Sequence, residues 1–172
     1  MPNRVPWTSR TFHFDFPSDL YPELIERLRG TPARAEEAAR SVSGGVVTRR
    51  DGDTWSIQEN IGHLADTESL FMGRLDEYDQ GLDTLRPADM SNRATHEADH
   101  NARPLQEVLS DLRAQRGRLV ARLEALAPAD FARVARHPRL NQPMRLVDML
   151  LFQAEHDDYH LARIRELIRR LA

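Results

Sequence analysis

The chain contains neither cysteine nor lysine. Without cysteine there are no disulfides, no thiolate metal ligands and no protein-borne thiol nucleophile. Without lysine there is no Schiff-base chemistry and no P-loop lysine; all 24 basic residues are arginine. No apolar run approaches the roughly 20 residues that span a bilayer, so no membrane partner is expected. The opening residues, Met1 to Trp7, lack the apolar stretch of a secretory signal, and a cytoplasmic location is the default reading. An excess of positive charge is missing too. Net charge is −3, with acidic residues intermixed among the arginines, which argues against nucleic acid as a partner. Internal repeats and low-complexity segments are also absent.

What is present reads as one soluble domain over residues 1–172. Hydrophobic residues make up 40% and charged residues 30% of its 172 positions, enough for a core without disulfides or a structural metal. Residues 1–18 carry Pro2, Pro6 and Pro17 around an alternation from Thr11 to Phe16, which predicts an extended lead-in laying its aromatics on the body. Ser18 or Asp19 can cap a first helix through Leu20, Leu24 and Leu28. Pro32 then kinks or breaks it, and Ala33 to Ser41 is again helix-friendly. Gly44-Gly45 and Asp51-Gly52-Asp53 mark a loop.

The second helix has the clearest start, a capping box of Ser56 with Glu59 three residues on. Ile57, Ile61, Leu64, Phe71, Leu75 and Tyr78 follow with the three-and-four spacing of one buried stripe, and Gly81 ends it. Residues 82–103 are polar and irregular, a connector long enough to act as a lid. A third helix starts at Pro104 and runs through Leu126. Residues 127–142 form a second connector, and a fourth helix runs from Pro143 or Met144 nearly to the C-terminus. Four long amphipathic segments without convincing strands predict an all-α four-helix bundle, and the long connectors predict at least one crossover.

His156 and His160 lie four residues apart on the fourth helix. At about 100° per residue they share a sector of roughly 60° with Met149, Gln153, Ile164, Leu167 and Leu171, so both point into the bundle. Two buried imidazoles either find separate hydrogen-bond partners or share one cation, and the spacing leaves both readings open. His63 sits at the edge of the second helix's stripe, where a side chain reaches toward a neighbouring helix. Glu68 interrupts that stripe; it is either a buried partner of an arginine or a base near a metal. Arg163, one turn past His160, either binds an anionic substrate group or pairs with a neighbouring helix. Tyr159 lies near the same face, while Asp157 and Asp158 suit solvent or arginine pairs. His96 and His100 lie in a polar stretch and are expected in solvent; His13 and His137, near the chain end and a proline-rich loop, suggest no role.

The run from Trp55 through His63 to Glu68, followed by Phe71 and Arg74, resembles the opening of the second helix in the DinB/YfiT-like superfamily. Glu155 to Ile164 resembles its closing motif, and the likeness spans residues 20 to 172, including Leu28 to Pro32. The resemblance implies a four-helix bundle with crossover connections that forms homodimers. It also implies a divalent metal, commonly nickel or zinc, on three histidines, which here are His63, His156 and His160. Relatives include thiol-dependent S-transferases and isomerases as well as metal-dependent hydrolases. The resemblance therefore favours transfer of a low-molecular-weight thiol to a small electrophile, with hydrolysis of a small substrate as the alternative. A non-enzymatic stress-response protein with a structural or sensory metal is a third reading. The superfamily name refers to damage induction, and no nucleic-acid module is recognisable in the sequence.

Overall fold

The computed structural model describes residues 5–172. Residues 1–4, with Pro2 of the expected lead-in, lie outside the described residues. From Trp7 onward the lead-in has no regular structure beyond short 3-10 turns at Trp7–Ser9 and Ser18–Leu20. Trp7, Phe12, Phe14 and Phe16 pack half-buried against the core.

The first long segment is broken in two: α1 spans Tyr21–Arg29 and α2 spans Thr31–Arg40, with Gly30 between them. Pro32 falls in the first turn of α2, where its missing N–H costs nothing, so it starts a helix rather than kinking one. A single turn, α3, follows at Gly44–Val47. Helix α4, Ile57–Asp79, opens on the expected capping box: Glu59 N–H donates to Ser56 Oγ at 3.1 Å and Ser56 N–H donates to Glu59 Oε2 at 2.8 Å. Gly81 follows its C-terminus in the left-handed region, φ 67°.

The 82–103 connector is more ordered than its polarity suggests, with a short helix α5 at Arg93–Glu97 and a 3-10 turn at His100–Ala102. Helix α6, Leu105–Glu124, uses Pro104 as N-cap. Strands β1 (Val134–His137) and β2 (Gln142–Arg145) then pair as an antiparallel hairpin, with Thr84 bridging to Arg136 in β1. The sequence reading of no strands and of a helix from Pro143 is corrected here: the hairpin takes Pro143 and Met144, and the last helix, α7, starts at Leu146 and runs to Leu171. Four-residue strands are too short for a period of two to stand out, and one of these contains a proline.

The architecture is a four-helix bundle. Helices α1–α2 and α4 each pack on both α6 and α7, which hold the alternate corners. The connections α2 to α4 and α6 to α7 therefore cross the bundle diagonally. One apolar cluster gathers Leu28, Phe71, Leu75, Leu119 and Phe131 with the hairpin's Met144; a second gathers Ile57, Ile61, Leu64, Leu112 and Ile164.

Gly62 on α4 positions the connector. A Cβ built there meets the His100 ring at 2.3 Å, so only glycine lets that imidazole lie across the helix. Gly62→Ala is expected to displace His100 and lower stability by about 1–3 kcal/mol despite alanine's better helix propensity. Urea unfolding measures it, and an unchanged or raised stability would contradict the packing argument.

Candidate metal centre

His63 on α4 and His156 and His160 on α7 meet in the gap between these two helices. One nitrogen from each lies within 4.8 Å of the others, and all three side chains are buried. The ring centroids are 5.2, 4.7 and 4.6 Å apart. His63 Nε2 and His156 Nε2 are separated by 3.3 Å. Two nitrogens bound tetrahedrally at about 2.0–2.1 Å to one cation lie about 3.3 Å apart, so this separation already suits a shared ion.

Polar neighbours fix two of the rings. His63 Nδ1 lies 3.0 Å from Thr95 Oγ1, and the Thr95 hydroxyl donates to Asp66 Oδ2 at 2.8 Å. With that hydroxyl committed as a donor, Thr95 Oγ1 accepts from His63 Nδ1–H, and the Nε2 lone pair faces the centre. His160 Nδ1 lies 2.9 Å from Asn60 Oδ1, which orients that ring in the same sense. Asn60 and Asp66 sit three residues before and after His63, on the same face of α4. The indole of Trp55 lies 4.7 Å from the His63 ring and 6.2 Å from the His160 ring, and Trp7 lies 5.1 Å from His156.

The electrostatics keep the donors neutral. Burial, then the nearby His156, push His63 from its ordinary 6.5 down to about 3, against the pull of Asp66. Burial, with Arg116 and Arg139, pushes His156 to about 3 as well. Asp66 stays below the ordinary carboxylate value: burial opposes its charge, but the hydrogen bonds from His100 and Thr95 outweigh it. Both His63 and His156 have folded-state pKa values depressed below 6.5, so the unfolded chain binds more protons and stability is lost as pH falls below about 6.5. Metal-free protein is expected to lose up to about 1.4 kcal/mol per pH unit for each of these two histidines. Urea unfolding between pH 7.5 and 5.5 checks this; a flat profile would count against neutral buried rings.

Of the other sequence candidates, Arg163 and Tyr159 line the smaller cavity beside the histidines and the rest do not. Glu68 is 1% exposed, but it receives Arg116 Nε at 2.8 Å and Gln153 Nε2 at 3.3 Å inside the core, and it lines neither cavity beside the histidines. Burial raises its pKa, with Arg116 working against that rise. Arg163 reaches the rim of the smaller cavity, where it donates to Thr54 Oγ1 at 2.7 Å and pairs with Glu166 at 2.8 Å. Tyr159 lines that cavity as well. Asp157 is held by Arg116 and Thr31, and Asp158 by Arg27 and Arg34. His96 is exposed, as expected.

His100 is not in solvent. It is 2% exposed with Nε2 2.9 Å from Asp66 Oδ2, because the connector folds back onto α4. His137, too, is buried and lines the larger cavity. Asn60 and Asp66 were open to detection from their spacing around His63. Thr95, His100 and His137 carried no such signal.

Two cavities meet at the histidines, one of about 440 Å³ and one of about 360 Å³; His63, His156, Trp7, Met90 and Asn92 line both. No described helix is long and apolar enough to cross a membrane.

The bundle and its three converging histidines define a helical protein with a donor set suited to a divalent metal. The sequence model of the DinB superfamily matches residues 27–164, and the chain belongs to that superfamily. Among solved structures it is similar to YfiT from Bacillus subtilis, described as a probable metal-dependent hydrolase with an unusual four-helix bundle topology. That match has 24% identity, covers 94% of this chain and 93% of the other, and gives a TM-score of 0.77. It also resembles a mycothiol-dependent maleylpyruvate isomerase (12% identity, 89% and 62% coverage, TM-score 0.67). A third likeness is to the colibactin self-resistance protein ClbS in complex with duplex DNA (17% identity, 88% and 97% coverage, TM-score 0.66). At these identities the likeness shows the fold alone, and the ClbS complex means that the fold does not exclude nucleic acid. No curated protein sequence matches the chain.

Proposed function

We propose that this protein is a metal-dependent enzyme that transfers a low-molecular-weight thiol to a small electrophile. The observation that carries the reading is the junction of two cavities at His63 and His156, with His160 lining the smaller one. Hydrolysis needs room for one substrate and water, whereas the joined space on both sides of His63 and His156 has room for two reactants at one centre. The likeness to an isomerase that depends on mycothiol supports it; the likeness to YfiT supports hydrolysis as the second reading.

His63, His156 and His160 would hold a divalent ion, with nickel and zinc the metals the donor set suits. When bound, such an ion supplies Lewis acidity that favours the deprotonated form of a thiol or water. The chain's own residues do the remainder. Asn60 and Thr95 hold the imidazoles in one orientation, and Asp66 anchors Thr95. Trp7 and Trp55 cover the rings and limit water. Glu68, a candidate from the sequence, has no step in this proposal because Arg116 holds it in the core, and Arg163, which lines the smaller cavity while paired with Glu166, is assigned none. A homodimer and a small-molecule substrate are part of the same reading.

The test is a turnover screen of metal-loaded protein with several low-molecular-weight thiols and a panel of electrophiles. Consumption of electrophile that requires thiol is expected. Equal consumption with and without thiol would replace transfer by hydrolysis, and protein purified without a histidine tag that takes up no metal would sink both.

A further inference from the structure

The larger cavity has a charged end that the metal centre does not use. The β1–β2 hairpin brings His137 and Arg139 to its wall, which Arg74 from α4 also lines. Leu140 N–H donates to His137 Nδ1 at 3.1 Å, so the ring proton sits on Nε2. That Nε2 is buried and has no hydrogen-bond partner among the described residues, and the same is true of Arg139 Nη2. Arg74 is 1% exposed, and its hydrogen bonds go to the Arg86 carbonyl oxygen at 3.0 and 3.2 Å rather than to a carboxylate.

Neither Arg74 nor Arg139 has an ion pair among the described residues, although most arginines here do. The acidic residues of the cavity wall are committed elsewhere: Asp66 to Thr95 and His100, Asp89 to Ser91 and the Arg93 N–H. Glu77, which acts on Arg74 through space, is bound to Arg86. The three cationic or donor groups also feel one another. After burial, Arg74 and Arg139 are the charges that push His137 to about 3, and Arg139 further weakens the charged form of Arg74. Buried donors left unpaired among like charges are costly, and an anion relieves both costs at once.

Much of the remaining cavity surface is apolar. The His137 ring lies 5.0 Å from Phe152, Phe152 lies 4.9 Å from Trp7, and Trp7 lies 5.1 Å from His156. An aromatic wall therefore runs from the charged end to the metal ligands.

We propose that His137, Arg139 and Arg74 form an anion subsite that holds the carboxylate of a small organic acid, laying its apolar part along Phe152 and Trp7 toward the three histidines. This names a substrate class for the proposed centre and rests on that reading for its catalytic meaning, but not for binding.

The test compares benzoate, phenylacetate and hexanoate, each against its neutral amide, by calorimetric titration of the metal-loaded protein. At least one acid is expected to bind about tenfold or more tighter than its amide, from the charge-assisted hydrogen bonds that the amide lacks. Arg139→Gln is expected to remove the preference while metal content stays at the wild-type level. His156→Ala is expected to keep it, which would show the subsite intact even if the enzyme reading failed. No preference for any acid, a preference that survives Arg139→Gln, or one lost in His156→Ala would each overturn the proposal; in the last case the anion sits on the histidine centre.

Discussion

His156→Ala protein is expected to lose its metal. The imidazole supplies one of three nitrogens that converge within 4.8 Å, and no other described His, Asp or Glu cluster is placed to replace it. Loss of an outer hydrogen-bond partner of a metal-binding histidine costs about 10–100-fold in affinity, so loss of a ligand should exceed about 100-fold. Competition with a chromophoric chelator, on protein purified without a histidine tag, reads the affinity directly. Asn60→Ala and Thr95→Ala, which free the Nδ1 sides of His160 and His63, should fall between the wild type and His156→Ala. Wild-type affinity in His156→Ala would remove the three-histidine site from the account. Circular dichroism separates that result from misfolding, because α7 is also held by Met149, Ile164 and Leu167 in the core.

The largest effect on stability is expected at Arg116. Its guanidinium is 1% exposed and joins three helices: it donates to Glu68 of α4 at 2.8 Å, to Asp157 of α7 at 2.6 Å and to the Leu28 carbonyl oxygen of α1 at 2.7 Å. Arg116→Met strands two carboxylates, each 1% exposed, without a cation. Breaking a buried pair in this way costs about 3–5 kcal/mol, because the abandoned charge remains in the core. Replacing the whole set, Arg116→Met with Glu68→Gln and Asp157→Asn, should restore much of the loss. The single variant should also respond to pH with a definite sign. Removing the cation raises the folded-state pKa of Glu68 further, so the variant's deficit relative to the wild type is expected to be smaller at low pH and to grow as pH rises through that value. Urea unfolding at pH 4.5 and 7.5 tests both statements. A cost below about 1 kcal/mol would mean that the network contributes little.

Arg116 also shows where the sequence stops being informative. Glu68 interrupts an apolar stripe, and the stripe alone says that its carboxylate is buried. Whether that carboxylate serves a metal or an arginine depends on which helix stands opposite, and α6 brings Arg116 there across 48 residues of sequence. The same limit applied to His100. Its polar neighbours pointed to solvent, yet Gly62 opens a slot on α4 that the ring fills. The hairpin escaped as well, since four-residue strands are stabilised by pairing with each other and with the 83–85 segment more than by their own pattern.

By itself the sequence determined what local rules govern: the α4 capping box, the break at Gly30–Pro32, the helical class from three-and-four periodicity, and the inward aim of His156 and His160 on one helix face. These depend on neighbours within a few residues, so they are written in the chain. Only the tertiary structure decided the rest. It set His63 3.3 Å from His156, gave Thr95 and Asn60 their places behind the rings, turned Glu68 into an arginine partner and gathered His137, Arg139 and Arg74 around one cavity. Those juxtapositions depend on how two diagonal crossovers bring distant segments to the same ends of the bundle, and spacing along a chain carries no record of it.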